Sequence, residues 1–314
     1  MKVSCIDIGT NSIRLMNAIY ENGVFSDVQK HLSMTRLGKG VNETRMLDEA
    51  RMEESVQVIY EYCEMAKGWG SEEILLMATS AVRDALNSVA FVKRVADRTG
   101  FTIDVISGDL EAEVGFRGVL LGAEQVAMNH EAILVVDIGG GSTELIVGDR
   151  LGIRYAVSLN IGAVRLTGAY VSHDPVLDME TVALKSAAMD EISKVAAMLK
   201  GYSFQQVIGI GGTATTYATM VHGVDHYSRE RVHGLTVDMD ALEAFNALLA
   251  SKTTEARKKI IGLEAKRADI IYAGGIILES VLKALERSRF SVSDYDNLEG
   301  YAAYKIEEKI GKNR

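Results

Sequence analysis

Ile6-Asp7-Ile8-Gly9-Thr10-Asn11-Ser12-Ile13-Arg14-Leu15 recurs 130 residues later as Val136-Asp137-Ile138-Gly139-Gly140-Gly141-Ser142-Thr143-Glu144-Leu145, with Asp, Ile, Gly, Ser and Leu in register. Each copy begins as an apolar β-branched run, breaks at glycine and then resumes apolar residues. That is the pattern of a strand, a tight turn and a second strand. An echo at this separation implies two similar halves, each opening with a β-hairpin whose turn carries small polar residues.

Outward from the two hairpins, the first half reads as a helix at 48–67, a strand at 74–78, a helix at 88–99 stopped by Gly100, a strand at 103–106 and a helix at 110–121. The second half adds helices at 179–199, 241–251 and 272–287 and a strand at 207–210. A last helix at 298–311 is long enough to reach back onto the first half. The class is α/β with a mixed sheet in each half. We expect domain I at 1–125 and domain II at 126–314, with the last helix returning to domain I.

A length of 314 residues suits two cores better than one. The longest apolar runs, Ile133 to Val136 and Ile208 to Ile210, fall far short of the roughly 20 residues a membrane span needs. Asp7 lies inside the first apolar stretch, which a secretory leader would not tolerate, so a cytoplasmic protein is expected. Cys5 and Cys63 have neither pairing nor metal-ligand spacing and are expected as buried thiols. A net charge of −9 argues against a broad nucleic-acid-binding face. It does not exclude a polyanion held by a few arginines, backbone N–H groups and a divalent cation.

Three glycine-rich turns carry the candidate chemistry. In the first, Gly9 permits a sharp turn, Asn11 and Ser12 offer donors, and Asp7 could orient a metal-bound water. In the second, Gly139, Gly140 and Gly141 strip side chains from a loop flanked by Asp137 and Glu144, a bare backbone for phosphate between two hard oxygen ligands for Mg²⁺. The third, Gly211-Gly212-Thr213, follows a strand and opens a helix, whose N-terminal N–H groups and dipole favour an anion. His222, His226 and His233 cluster without metal-ligand spacing and read as loop residues, and residues 227–231 read as a solvated charged loop or part of a site rim.

These turns, together with Thr79-Ser80-Ala81-Val82-Arg83-Asp84-Ala85, Ile106-Ser107-Gly108 with Glu111-Ala112, and Arg267-Ala268-Asp269-Ile270-Ile271, resemble the exopolyphosphatase/guanosine pentaphosphate phosphatase (Ppx/GppA) family. The resemblance runs from about residue 3 to 300 with the motifs in family order. It implies two actin-like (ribonuclease H-like) domains of the sugar kinase/heat-shock ATPase/actin superfamily, with a cleft between them. By the same resemblance Glu111 matches the catalytic glutamate that directs the attacking water, and Asp137 and Glu144 match Mg²⁺ (or Mn²⁺) ligands. Asn11, Ser12, Gly140, Gly141, Ser142, Gly212 and Thr213 match phosphate-loop positions, and Arg83 and Arg267 match arginines that can face a polyanion.

Two departures stand out. The family usually shows Ser-Asp-x-Gly-Leu-Arg-Glu-Gly near the end, whereas this chain reads Ser293-Asp294-Tyr295-Asp296-Asn297-Leu298-Glu299-Gly300. By the resemblance, the chain is also expected to hold the family's two-domain core without the helical C-terminal domains of the long members, which extend the polyphosphate track and the dimer interface. The implied activity is Mg²⁺-dependent hydrolysis of terminal phosphate from polyphosphate or guanosine pentaphosphate, with a homodimer possible. A phosphotransferase of the same fold and a non-catalytic sensor of guanosine tetra- or pentaphosphate are the alternatives.

Overall fold

The computed structural model describes residues 1–122 and 132–312. The chain forms two compact units, residues 1–121 with 295–314, and residues 122–294. The expected boundary between 125 and 126 lies outside the described residues. Residues 295–314, which include the last helix, belong to the first unit, for the packing reason given below.

In the first unit, β1 (Lys2–Ile8), β2 (Ile13–Glu21) and β3 (Val24–Ser33) form an antiparallel meander. After a short turn of helix, α1 (Val41–Thr44), come α2 (Glu49–Trp69), β4 (Glu73–Ala78), α3 (Ser80–Asp84), α4 (Ser88–Thr99), β5 (Ile103–Val105) and α5 (Gly108–Leu121). The sheet order is β3-β2-β1-β4-β5, with β4 and β5 parallel to β1. Local signals set the helix ends. The Asp48 side chain accepts from the Arg51 amide to cap α2, and Gly70 at φ 85° closes it.

Strand alternation divides the core. Ile6 and Ile8 face a cluster with Met52, Val56 and Ile59 of α2 and Phe91 and Val95 of α4. Val3 and Cys5 face the opposite side, against Val114 of α5 and Leu298, Tyr301 and Ala302. Asp7, two residues beyond Cys5, therefore shares the face covered by the chain's C-terminal segment.

The second unit repeats the plan. Its meander is β6 (Ile133–Ile138), β7 (Thr143–Asp149) and β8 (Gly152–Leu159), followed by α6 (Ala163–Tyr170), α7 (Asp178–Lys200), β9 (Gln206–Ile210), α8 (Gly211–Val221), α9 (Arg229–Val232), β10 (Thr236–Asp238), α10 (Met239–Ala250), α11 (Thr254–Arg257), α12 (Ile271–Ala284) and β11 (Arg289–Val292). The order β10-β11-β9-β6-β7-β8 is that of the first sheet with one antiparallel strand, β10, added at the edge. The doubled three-strand meander followed by two parallel strands is the actin-like topology that the family resemblance implied.

The final helix, α13 (Asn297–Lys312), completes the first unit against α5. Glycines let the two backbones touch: a Cβ on Gly300 would overlap the Val114 carbonyl, and one on Gly118 would overlap the Asp296 carbonyl. Among the described residues no helix is long and apolar enough to cross a membrane.

Candidate phosphate site

The two echoed turns have the same backbone. Gly9 N donates to Ser12 O at 2.9 Å, and Gly139 N to Ser142 O at 3.0 Å. Their flanking cross-strand pairs differ in charge. In β1/β2 Asp7 sits opposite Arg14, whereas in β6/β7 Asp137 sits opposite Glu144. Directly opposed like charges repel across an antiparallel pair. The first hairpin neutralises itself, and the second concentrates two carboxylates.

Asp7 is buried, and its Oδ2 accepts from Arg14 Nε at 3.0 Å and Nη2 at 2.6 Å. Burial pushes its carboxyl above the ordinary carboxylate range, and the Arg14 guanidinium only partly opposes this. Its Oδ1 has no hydrogen-bond partner among the described residues. Arg14 Nη1 also donates to Asp296 Oδ2 at 2.5 Å. The departure from the family pattern at 296 thus supplies an anion to Arg14, and Leu298, which stands where the family has arginine, is buried in the core beside Val3 and Met16.

In the second turn, Ser158 Oγ donates to Glu144 Oε1 at 2.7 Å, and both Asp137 and Glu144 are buried. The third turn abuts this pair. Gly211 has φ +72°, and a Cβ there would lie 2.6 Å from Asp137 Oδ1, so only glycine leaves the carboxylate room. Thr213 Oγ1 donates to Ile138 O at 3.0 Å, tying the start of α8 to the end of β6. A Cβ on Gly212 would overlap the Arg267 guanidinium, which lies over that helix N-terminus and is within 3.3 Å of Glu264. The second unit therefore gathers Asp137, Glu144, Gly140, Gly141, Ser142, Gly212, Thr213 and Arg267 around adjoining turns.

Two buried carboxylates at the mouth of an amide-rich turn fit a hard cation that keeps several of its waters. Among the described residues no three His, Cys, Asp or Glu side chains converge on one point.

The first unit holds Asn11, Ser12, Arg83 and Glu111. Glu111 lies in the first turn of α5, is buried, and accepts from Arg83 Nη1 at 2.9 Å. The same nitrogen donates to Ile106 O at 3.0 Å. Arg83, expected to face a polyanion, is thus engaged with the candidate catalytic carboxylate and fixes its orientation. Thr10 Oγ1 and Ser80 Oγ, 2.9 Å apart, join the first turn to α3.

Other polar residues have structural partners. His222 Nε2 lies 2.8 Å from Thr236 O, and His233 Nδ1 accepts from the Asp294 amide at 3.2 Å. Tyr227 donates to Asp294, as does Arg229 Nε at 3.0 Å, so the loop at 227–231 anchors a buried aspartate while Tyr227, Glu230 and Arg231 remain exposed. Sequence reasoning missed Gly162 and Arg165, which grip the second turn from behind. The signal available was a glycine shortly after the third strand in both halves, Gly38 and Gly162.

A doubled actin-like α/β core carrying glycine turns beside paired carboxylates defines a phosphate-handling protein. The Ppx/GppA phosphatase family model matches residues 18–308, and the chain belongs to that family. It is 30% identical over 315 residues to exopolyphosphatase 2 of Mycobacterium tuberculosis, covering 96% of this chain and 97% of that protein. It is 34% identical over 313 residues to a bifunctional 3-dehydroquinate synthase/phosphatase of Fusobacterium nucleatum; the match takes in 97% of this chain and spans 46% of that protein. The crystal structure of the Aquifex aeolicus Ppx/GppA family member superimposes with a TM-score of 0.82 at 31% identity, covering 98% of each chain.

Proposed function

We propose that this protein hydrolyses the terminal phosphoanhydride of inorganic polyphosphate or guanosine pentaphosphate in a Mg²⁺-dependent reaction. Family membership and the exopolyphosphatase relative support the reaction class. The observation that carries hydrolysis is Glu111, a buried carboxylate at a helix start held by Arg83.

The amides of the second and third turns bind the phosphate oxygens, and the N-terminus of α8 adds its dipole. Arg267 supplies positive charge over Gly212, as a guanidinium suits a phosphate by bonding two oxygens at once. Asp137 and Glu144 would hold Mg²⁺, which when bound would supply charge neutralisation to the leaving oxygens. Asp7 would orient a water through Oδ1, the buried oxygen that has no hydrogen-bond partner among the described residues.

Glu111 accepts a proton from water as its oxygen bonds to the terminal phosphorus and the bridging P–O bond breaks. Arg83 holds the Glu111 carboxylate so that it need not reorganise as the proton moves.

The test is phosphate release from polyphosphate, guanosine pentaphosphate and ATP with Mg²⁺ by the wild type and Glu111→Gln. Glu111→Gln should fall at least about a hundredfold in kcat with its fold intact, the usual span for loss of a general base. Equal rates for the two proteins would remove Glu111 from the chemistry.

A further inference from the structure

The carbonyls of the second turn are all occupied from one side. Gly139 O accepts from Ala163 N at 2.9 Å, and Gly140 O from Val164 N at 2.9 Å and Arg165 N at 3.0 Å. Gly141 O accepts from the Arg165 side-chain Nε at 2.7 Å. Gly162 lets α6 come this close, since a Cβ there would lie 2.5 Å from the Gly140 carbonyl carbon. In a trans peptide the C=O and N–H point in opposite directions. Turning three successive carbonyls towards α6 therefore turns the N–H groups of Gly140, Gly141 and Ser142 away from it together. Such a row of amides makes an anion-binding concavity.

The first turn is latched differently. There Thr10 O accepts from Gly38 N at 2.8 Å and Asn11 O from Arg36 N at 3.0 Å, both backbone amides. Asn11 corresponds in the echo to Gly141. At this one position a backbone latch in the first half is replaced by a side-chain guanidinium in the second. Two peptides of the second turn are held by the α6 backbone, but the peptide between Gly141 and Ser142 is held by Arg165.

We propose that Arg165 is a positioning residue for substrate phosphate: by binding the Gly141 carbonyl from behind, it aims the Ser142 amide at the anion. This rests on the reading that the second turn holds phosphate. Arg165 is half-buried, so a small guanidinium compound can reach its place.

The experiment measures KM and kcat for polyphosphate in Arg165→Ala, with and without millimolar methylguanidine. KM should rise about tenfold, equivalent to about 1.4 kcal/mol, with little change in kcat, the mark of lost uniform binding. Methylguanidine should bring KM back towards the wild-type value while leaving the wild type unaffected. An unchanged KM, or a raised KM that methylguanidine does not move, would overturn the proposal. If the alanine variant does not fold, Arg165→Lys keeps the stem but lacks a donor at the Nε position. A severalfold higher KM in that variant supports the assignment, and a wild-type KM refutes it. Should the wild type release no phosphate from any substrate, the proposed function fails on its own account. Calorimetric binding of tripolyphosphate to wild type and Arg165→Ala then decides the inference, with weaker binding supporting it and equal binding overturning it.

Discussion

Replacing Asp296 by Asn removes one charge from a buried chain of ions while keeping the side chain's shape. Asp296 donates its backbone N–H to Glu299 Oε2 at 3.2 Å, and Glu299 is in turn paired with Lys30 at 2.9 Å. Burial pushes the Asp296 carboxyl up, and the Arg14 guanidinium, aided by Lys30 and the Leu298 amide, outweighs it and holds the group down at about 2 against an ordinary 3.8. At about 1.36 kcal/mol per pKa unit, the difference contributes about 2 kcal/mol to stability. Because the folded-state value is depressed, that contribution is complete above 3.8 and fades as the pH falls through about 2. Part of the loss is offset at Asp7, whose carboxyl the Asp296 charge pushes further up. Asp296→Asn should therefore be destabilised by about 1–2 kcal/mol at neutral pH, and its stability should begin to approach that of the wild type below about pH 4 and meet it near pH 2. Trp69, the single tryptophan, lies on α2 in the same unit, so its fluorescence in urea titrations reports the unit that carries the change. A destabilisation independent of pH, or one below about 0.5 kcal/mol at neutral pH, the range of an ordinary surface substitution, would show that the Arg14 pair does not hold the C-terminal segment.

Other perturbations have equally definite outcomes. Gly211→Ala forces an L residue to positive φ at a cost of about 1–2 kcal/mol and presses on Asp137 Oδ1; thermal melting should show the loss, and phosphate release should need severalfold more Mg²⁺. Gly300→Ala drives a methyl into the Val114 carbonyl at the α5/α13 crossing; urea titration should reveal a loss of about 3 kcal/mol. Burial pushes the Cys5 thiol well up and the Cys63 thiol up to about 11. Neither should react with a disulfide reagent at mildly alkaline pH until denaturant is added, and a native-state thiol signal would contradict the packing of β1 and α2.

Elements with local signals were legible in the sequence. The helix at 88–99 ends at Gly100 because that glycine adopts φ 78° and its amide bonds the Ala96 carbonyl. The third strands, β3 and β8, were not legible as strands. Residues 24–33 bury only Phe25, so this edge strand lacks the alternation that marks a half-buried one, and its hydrogen bonds to β2 supply what its side chains do not. The four-residue β11 was hidden because a short parallel strand is defined by its neighbour, here β9. Within the site, residues presented by the turns could be read from glycine spacing. Those that act by touching a turn from elsewhere could not: Arg165 reaches Gly141 across 24 residues, and Asp296 reaches Arg14 across 282.

The echo itself contained more than the turns. Its eighth residue after the strand's Asp-Ile-Gly begins, Arg14 in one copy and Glu144 in the other, stands opposite the aspartate in each hairpin. A repeat inherited in both halves would keep the geometry and leave the charge at this place free to diverge. With arginine, the aspartate's charge is met inside the protein, and Asp7 turns one oxygen to Arg14. With glutamate, two buried carboxylates stand opposite each other, and Glu144 accepts a hydrogen bond from Ser158 Oγ at 2.7 Å. The second hairpin, with its two carboxylates, is therefore the one to which the proposed function assigns the metal. That asymmetry follows from one residue in a ten-residue repeat, once pairing register says which residues stand opposite.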